Sequence, residues 1–262
     1  MREIWRGIWV VAYREILRFV ADRGRMLSSF AMPLLFLVIF GAGFNKILGS
    51  LGRGVNYIQF MYPGIIAMTV LTSSLFAGIS VVYDKEFGFL KEILVAPVGR
   101  SGIVVGKAVG GAGVALLQAL LMLLIAPILG VSLSPKIIVT LIPIVIMLSL
   151  GLSGLGILIA SFMQTQQGFQ MVVQILIFPL IFLAGVFFPV SDVPTWMEVI
   201  SKLNPLTYGV DAIRQIFLGS SASLGVSVFG HTMTLIDEVF IVGALSAILL
   251  GGAVAAFNRE VQ

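Results

Sequence analysis

The charged residues of this chain are so widely spaced that the intervals between them dictate the fold. Twenty uncharged residues separate Arg25 from Lys46, 30 separate Arg53 from Asp84 and 28 separate Lys107 from Lys136. A further 55 lie between Lys136 and Asp192, and 20 between Glu238 and Arg259. A helix crossing about 30 Å of hydrocarbon needs about 20 predominantly apolar residues. The runs are continuous rather than alternating, which excludes a barrel. The 55-residue interval is too long for one helix, and Gln164, Thr165, Gln166, Gln167 and Gln170 break it with a polar turn. The expectation is one all-α, polytopic membrane domain over 1–262 with six transmembrane helices, at 26–45, 58–82, 108–131, 137–162, 170–190 and 239–258. No acid, base or histidine falls inside these spans; Lys or Arg at a span centre would cost about 2.5–3.5 kcal/mol.

Composition agrees: 59% of residues are hydrophobic and 11% charged, where soluble domains carry about 25% charged residues. With no cysteine, disulfides, thiolate metal sites and cysteine nucleophiles are excluded, and the single His231 makes no histidine cluster. Residues 1–25 are basic and amphipathic, without the short apolar core and cleavage site of a signal peptide. On a helical wheel Trp5, Ile8, Trp9, Ala12, Ile16, Phe19 and Val20 share one face, and Arg2, Arg6, Arg14 and Arg18 take the other. That pattern predicts a helix lying in the headgroup plane; a soluble arm is the plainer alternative. With both termini on one side, that side holds 11 of the 16 Lys/Arg and the other holds 5. The bias predicts cytoplasmic termini.

The stretch 83–100 is a charged island between two uncharged runs. Read as a helix over 84–97, ended by Pro97, it places Phe87, Leu90 and Leu94 on one side. Asp84, Lys85, Lys91 and Glu92 fall mostly opposite, while Glu86 lies inside the apolar arc, between Leu90 and Ile93. This is a docking helix for a soluble partner or, more plainly, a solvated loop. A carboxylate at Glu86 would be costly if buried alone, so it is expected to meet a basic or amide group on a partner or on the N-terminal helix. A turn at Gly88 would instead release it to water.

Gly102, Gly106 and Gly110 recur at every fourth position, a spacing that lets helices approach closely in lipid, within a subunit or between subunits. Gly102–Lys107 also resembles a phosphate-binding loop, but the glycine spacing is one residue short and Ala108 stands where a hydroxyl would hold magnesium. After the fifth span, 192–218 contains two short helices divided at Asn204-Pro205. They are too short to span and suit an outer re-entrant hairpin; Thr195 with Glu198 has capping-box spacing. Residues 219–234 read as a loose loop. A body without intramembrane ionisable groups offers no proton relay and no energy source of its own.

The stretch Asp84-Lys85-Glu86-Phe87-Gly88-Phe89-Leu90-Lys91-Glu92-Ile93-Leu94-Val95-Ala96-Pro97 and the motif Leu203-Asn204-Pro205-Leu206-Thr207-Tyr208 resemble the membrane subunits of type-two ATP-binding-cassette exporters. The daunorubicin-resistance permeases are the nearest branch, and the likeness covers nearly the whole chain. The resemblance implies a multi-pass permease of the cell membrane that works as a homodimer docked on a separate ABC ATPase subunit. ATP and magnesium would be bound by that subunit; this chain would hold no cofactor, catalyse no hydrolysis and bind no nucleic acid. Asp84, Lys85, Glu86, Phe87, Gly88, Leu90, Lys91 and Leu94 would face the ATPase. Asn204, Pro205 and Tyr208 would frame the exit. A short first outer loop, 46–56, favours export of a hydrophobic drug-like, lipid or glycan substrate. The alternative is a stand-alone secondary carrier or channel.

Overall fold

A computed structural model of the chain describes residues 2–48, 57–88, 100–190, 193–219, 227–228 and 231–260. The elements are α1 (Arg2–Ala21), α2 (Arg23–Leu48), α3 (Tyr57–Leu75), α4 (Ile79–Glu86), α5 (Arg100–Ile125), α6 (Pro135–Ser161), α7 (Gln166–Phe182), α8 (Thr195–Leu203), α9 (Pro205–Leu218) and α10 (Leu235–Glu260). Two-residue strands β1 (Ser227–Val228) and β2 (His231–Thr232) pair antiparallel within the expected loose loop.

α3 is the centre of the bundle. It is apolar on all sides, and Phe60 through Leu71 is buried without a break, the mark of a core helix rather than a surface one. Its tyrosines find partners: Tyr62 Oη donates to Met122 O at 2.6 Å and Tyr57 Oη to Phe187 O at 3.0 Å. α2, α5, α6 and α9 pack around it. A 3-10 turn, Phe76–Gly78, joins α3 to α4. Here Gly78 lies directly against Gly156 O of α6, and Gly156 against Leu75 O, so a Cβ at either site would overlap backbone.

The other small residues have equally definite partners. Gly106 faces Ile8 and Val11, Gly110 faces Ala12 and Glu15, and Gly113 faces Ile16. The glycine face of α5 is therefore filled by α1 of the same chain; Gly102 is buried on that helix. α1 keeps Trp9, Tyr13 and Leu17 exposed and meets α2 at a 73° bend. Gly151 and Gly154 seat Ser246 and Leu250 of α10.

Among the described residues four helical stretches are long and apolar enough to cross a membrane: Tyr57–Glu86, Ser101–Leu129, Pro135–Ser161 and Leu235–Arg259; the bent pair Gly7–Ala21 and Met26–Gly41 qualifies as a fifth. α7 has 17 residues, roughly 25 Å at 1.5 Å per residue. These helices run past the uncharged intervals and take Asp84, Lys107 and Glu238 inside their length.

The island does not begin as a separate helix. Asp84, Lys85 and Glu86 are the last turn of α4, Phe87 is its C-cap, and Gly88 has φ +78°, a left-handed turn that glycine enters without a Cβ clash. Leu90, Lys91 and Leu94 lie outside the described residues.

Candidate functional site

The last turn of α4 bonds the interior of α5 and the ends of α6 and α7. Asp84 Oδ2 accepts from Lys107 Nζ of α5 at 2.5 Å, and the same ammonium donates to Ser80 Oγ at 3.0 Å. Both partners of the ion pair are buried. Lys85 Nζ donates to Ala160 O at 3.2 Å and Ser161 O at 2.7 Å, at the C-terminus of α6. Glu86 accepts at 3.0 Å from the backbone N–H of Gln166, the first residue of α7. Helix C-termini attract cations and N-termini anions, so Lys85 and Glu86 each meet the pole of a neighbouring helix that favours their charge.

This reverses the wheel drawn from sequence. Asp84, expected on the polar arc, is buried; Glu86, expected on the apolar arc, is exposed. The faces of this turn follow the packing of α3 and α4, because the helix stops before Phe89 could set them. Glu86 finds an amide group, as expected, but on α7 rather than on the arginine-bearing α1. Lys107, read as a loop base, is interior to α5. Its ammonium is committed to Asp84 and Ser80, and Gly102–Lys107 is helical, so the resemblance to a phosphate loop carries no phosphate cradle.

Beside this node lies a cavity of about 790 Å³ bounded by α1, α2, α3, α4, α5 and α7. Its wall is graded. Along α2, Ser28 and Ser29 give way to Met32 and Phe36; along α7, Gln166 and Gln170 give way to Phe178 and Phe182. On α3 and α4, which run the other way, Met68 precedes Thr72, Ser73 and Tyr83. Glu15 and Arg18 of α1 join the polar end, and Gln118 Nε2 donates to Ser29 Oγ at 2.9 Å across it. α2 and α7 thus place hydroxyl and amide groups at the island end and aromatic groups deeper in, α3 and α4 add hydroxyls at the island end, and the rings of Phe76 and Tyr83 lie among these. No sequence signal pointed to this cavity, since its polar residues are scattered over six helices.

At the opposite end, Asn204 Oδ1 caps α9 by accepting from Leu206 N at 3.0 Å, and Asn204 Nδ2 donates to Leu180 O at 2.8 Å. Pro205 takes the first helical position, where its missing N–H is harmless. Thr207 Oγ1 donates to Ser201 O and Tyr208 Oη to Lys202 O, each at 2.7 Å. The motif therefore folds α8 back on α9 and hangs both from the end of α7. The capping box does not form: Pro194 is the N-cap of α8, with no side-chain cap. α9 is buried from Leu206 to Gln215. Arg214 donates to Gly185 O at 2.7 Å and lies 4.0 Å from the centroid of the Phe60 ring. Burial lowers the Arg214 pKa to about 10, with Asp211 and Glu238 pulling it back up, so it is a cation at neutral pH. Sequence reasoning counted Arg214 among the five bases of the outer side; a charge pair at i, i+3 in an otherwise uncharged helix was the available signal.

Residues 6–218 match the model of the ABC-2 type transporter family. A protein of Cyanophora paradoxa named as a candidate transport permease, ycf38, is 34% identical over 78% of this chain and 71% of its own. Nodulation protein J of Rhizobium leguminosarum bv. trifolii is 26% identical over 94% of this chain and 92% of its own. The inner membrane transport permease YadH of Escherichia coli (strain K12) is 27% identical over 92% and 94%. The match spans the island, the graded cavity and the α8–α9 corner alike, and this multi-pass membrane chain belongs to the ABC-2 type transporter family.

Proposed function

We propose that this chain is the membrane half of an ATP-driven exporter, which pairs with a second copy and docks on a separate ABC ATPase subunit through the island. The graded cavity carries this reading. Its polar end suits a headgroup at the membrane surface and its aromatic end suits an apolar tail, so among drug-like, lipid and glycan substrates it favours an amphiphile. α2, α3–α4, α5, α6, α7 and α10 would make six crossings with both termini cytoplasmic, in line with the excess of Lys/Arg on that side. α8 and α9 would form an outer re-entrant hairpin, with Asn204, Pro205 and Tyr208 framing the exit. ATP and magnesium would be held by the ATPase, and a cell membrane is the expected location, as the name of the Escherichia coli relative suggests for that protein.

The test is reconstitution of the chain with its ATPase in proteoliposomes. ATP should drive nitrobenzoxadiazole-labelled phosphatidylethanolamine between leaflets, read by dithionite quenching, and the isolated chain should show only background hydrolysis. One observation favours a second reading: buried Asp211, Arg214 and Glu238 resemble the ionisable groups of ion-coupled carriers. Lipid movement driven by a proton gradient, without ATP, would decide for the carrier.

A further inference from the structure

Asp84, Lys85 and Glu86 bond three different helices, but with different exposure. The Asp84–Lys107 pair is buried, as a fixed brace requires. Lys85 is half-buried and Glu86 exposed, so core packing does not account for their contacts. Helix-pole electrostatics do. Lys85 holds the carbonyl end of α6 and Glu86 the amide end of α7. The two contacts straddle the turn 162–165, and α4 thereby grips it from both sides.

Along its length α7 is lightly held, although Asn204 ties its far end through Leu180 O. Only Phe169, Val173 and Ile181 are buried along it, and it meets α4 more than it meets α3 or α6. Phe169 packs edge-on against Phe76, with centroids 6.5 Å apart, at the 3-10 turn. Beyond that point Gln170, Phe178 and Phe182 form one wall of the cavity, while Met171 and Ile175 are exposed. The chain leaves α4 directly after Glu86, through Phe87 and the left-handed Gly88, so a displacement of the island acts first on this last turn.

We propose that Lys85 and Glu86 are a two-point clamp that carries movement of the cytoplasmic island into α7, and so into one wall of the cavity. Both are positioning residues: neither lines the cavity. The clamp rests on reading the chain as the membrane half of an ATP-driven exporter.

The chain contains no cysteine, so Met171→Cys on α7 and Val139→Cys on α6, both exposed positions, accept one spin label each, with labelled chain diluted in unlabelled chain so that one copy of a pair carries both labels. The labelled chain is reconstituted with its ATPase and the label–label distance is measured with and without ATP. Lys85→Arg, Glu86→Gln and the double variant Lys85→Met/Glu86→Gln are compared. ATP is expected to shift the distance in the parent and in Lys85→Arg, with a smaller shift in Glu86→Gln. In the double variant the shift should vanish and ATP-driven movement of the labelled lipid should fall roughly ten-fold, the size of a typical coupling between sites. The ATPase should still co-purify and hydrolyse. Labels that move as before in the double variant overturn the clamp. Loss of the ATPase from that variant also overturns it, because the two residues would then be docking contacts. A parent that moves neither labels nor lipid on ATP overturns the exporter reading together with the clamp, a result distinct from a responsive parent with unaffected variants.

Discussion

The two polar ends of this molecule are built from equally short motifs and hold their helices in opposite ways. At the island end, Lys85 and Glu86 place charges on helix poles at or near the surface. At the corner end, Asn204, Thr207 and Tyr208 place neutral donors on backbone carbonyls, and all three residues are buried. A buried carbonyl that loses its donor has no water to turn to, so such a bond locks. An exposed charge on a helix pole exchanges with water at little cost. The corner is framework; the island end can be made and unmade.

The largest expected effect tests the framework. Arg214→Leu removes the cation beside Asp211 and Glu238 and the donor to Gly185 O. Leaving buried charge uncompensated should cost about 3–5 kcal/mol, seen as a large fall in melting temperature in detergent. Unchanged melting would take the corner out of the framework.

Next comes the buried ion pair at the island end. Lys107→Met strands Asp84 and should cost about 3 kcal/mol, whereas Asp84→Leu with Lys107→Met should come back to within about 1 kcal/mol of the parent, because both desolvated charges are gone. A double variant as unstable as the single one would mean that the pair is net stabilising and that the two ends differ less than drawn here. Smaller again is Asn204→Ala, which loses the α9 cap and the bond to Leu180 O; about 1–2 kcal/mol is expected, with ATPase co-purification unaffected.

What the sequence made legible follows the same division. The apolar runs, the amphipathic first helix and the break at Asn204-Pro205 each depend on local pattern, and each has its counterpart in the structure. Uncharged intervals mark where charges stop, however, not where helices stop. Lys107 is neutralised by Asp84, and its helix begins seven residues before it, at Arg100. The wheel drawn over 84–97 assumed one helix, and it is the alternative, a turn at Gly88 that leaves Glu86 exposed, that the structure takes. The glycine spacing of α5 required a close neighbour but could not say that α1 would supply it. The meeting of Arg214 with Phe60 and Gly185 joins segments far apart in sequence, as does the cavity, and neither leaves a local trace.

The smallest expected effect is the sharpest on the comparison. The corner end also carries a half-exposed charge contact: Lys202 Nζ to Glu198 Oε1 at 2.6 Å, four residues apart on α8, with side chains 29% and 33% exposed. Chemically it resembles Glu86 on Gln166 N, since each joins an exposed or half-exposed charge to a nearby partner. Mechanically it differs, because both its ends belong to one helix and it can transmit nothing between elements. Lys202→Ala should therefore cost no more than about 0.5 kcal/mol and leave ATP-driven lipid movement at the parent rate. Glu86→Gln should be nearly as mild in stability, within about 1 kcal/mol, yet reduce lipid movement. Melting in detergent and flux in proteoliposomes, measured on the same two variants, separate the roles. If Lys202→Ala lowers flux as deeply as Glu86→Gln, exposed charge rather than position explains both losses, and the contrast between a fixed corner and an adjustable island end fails.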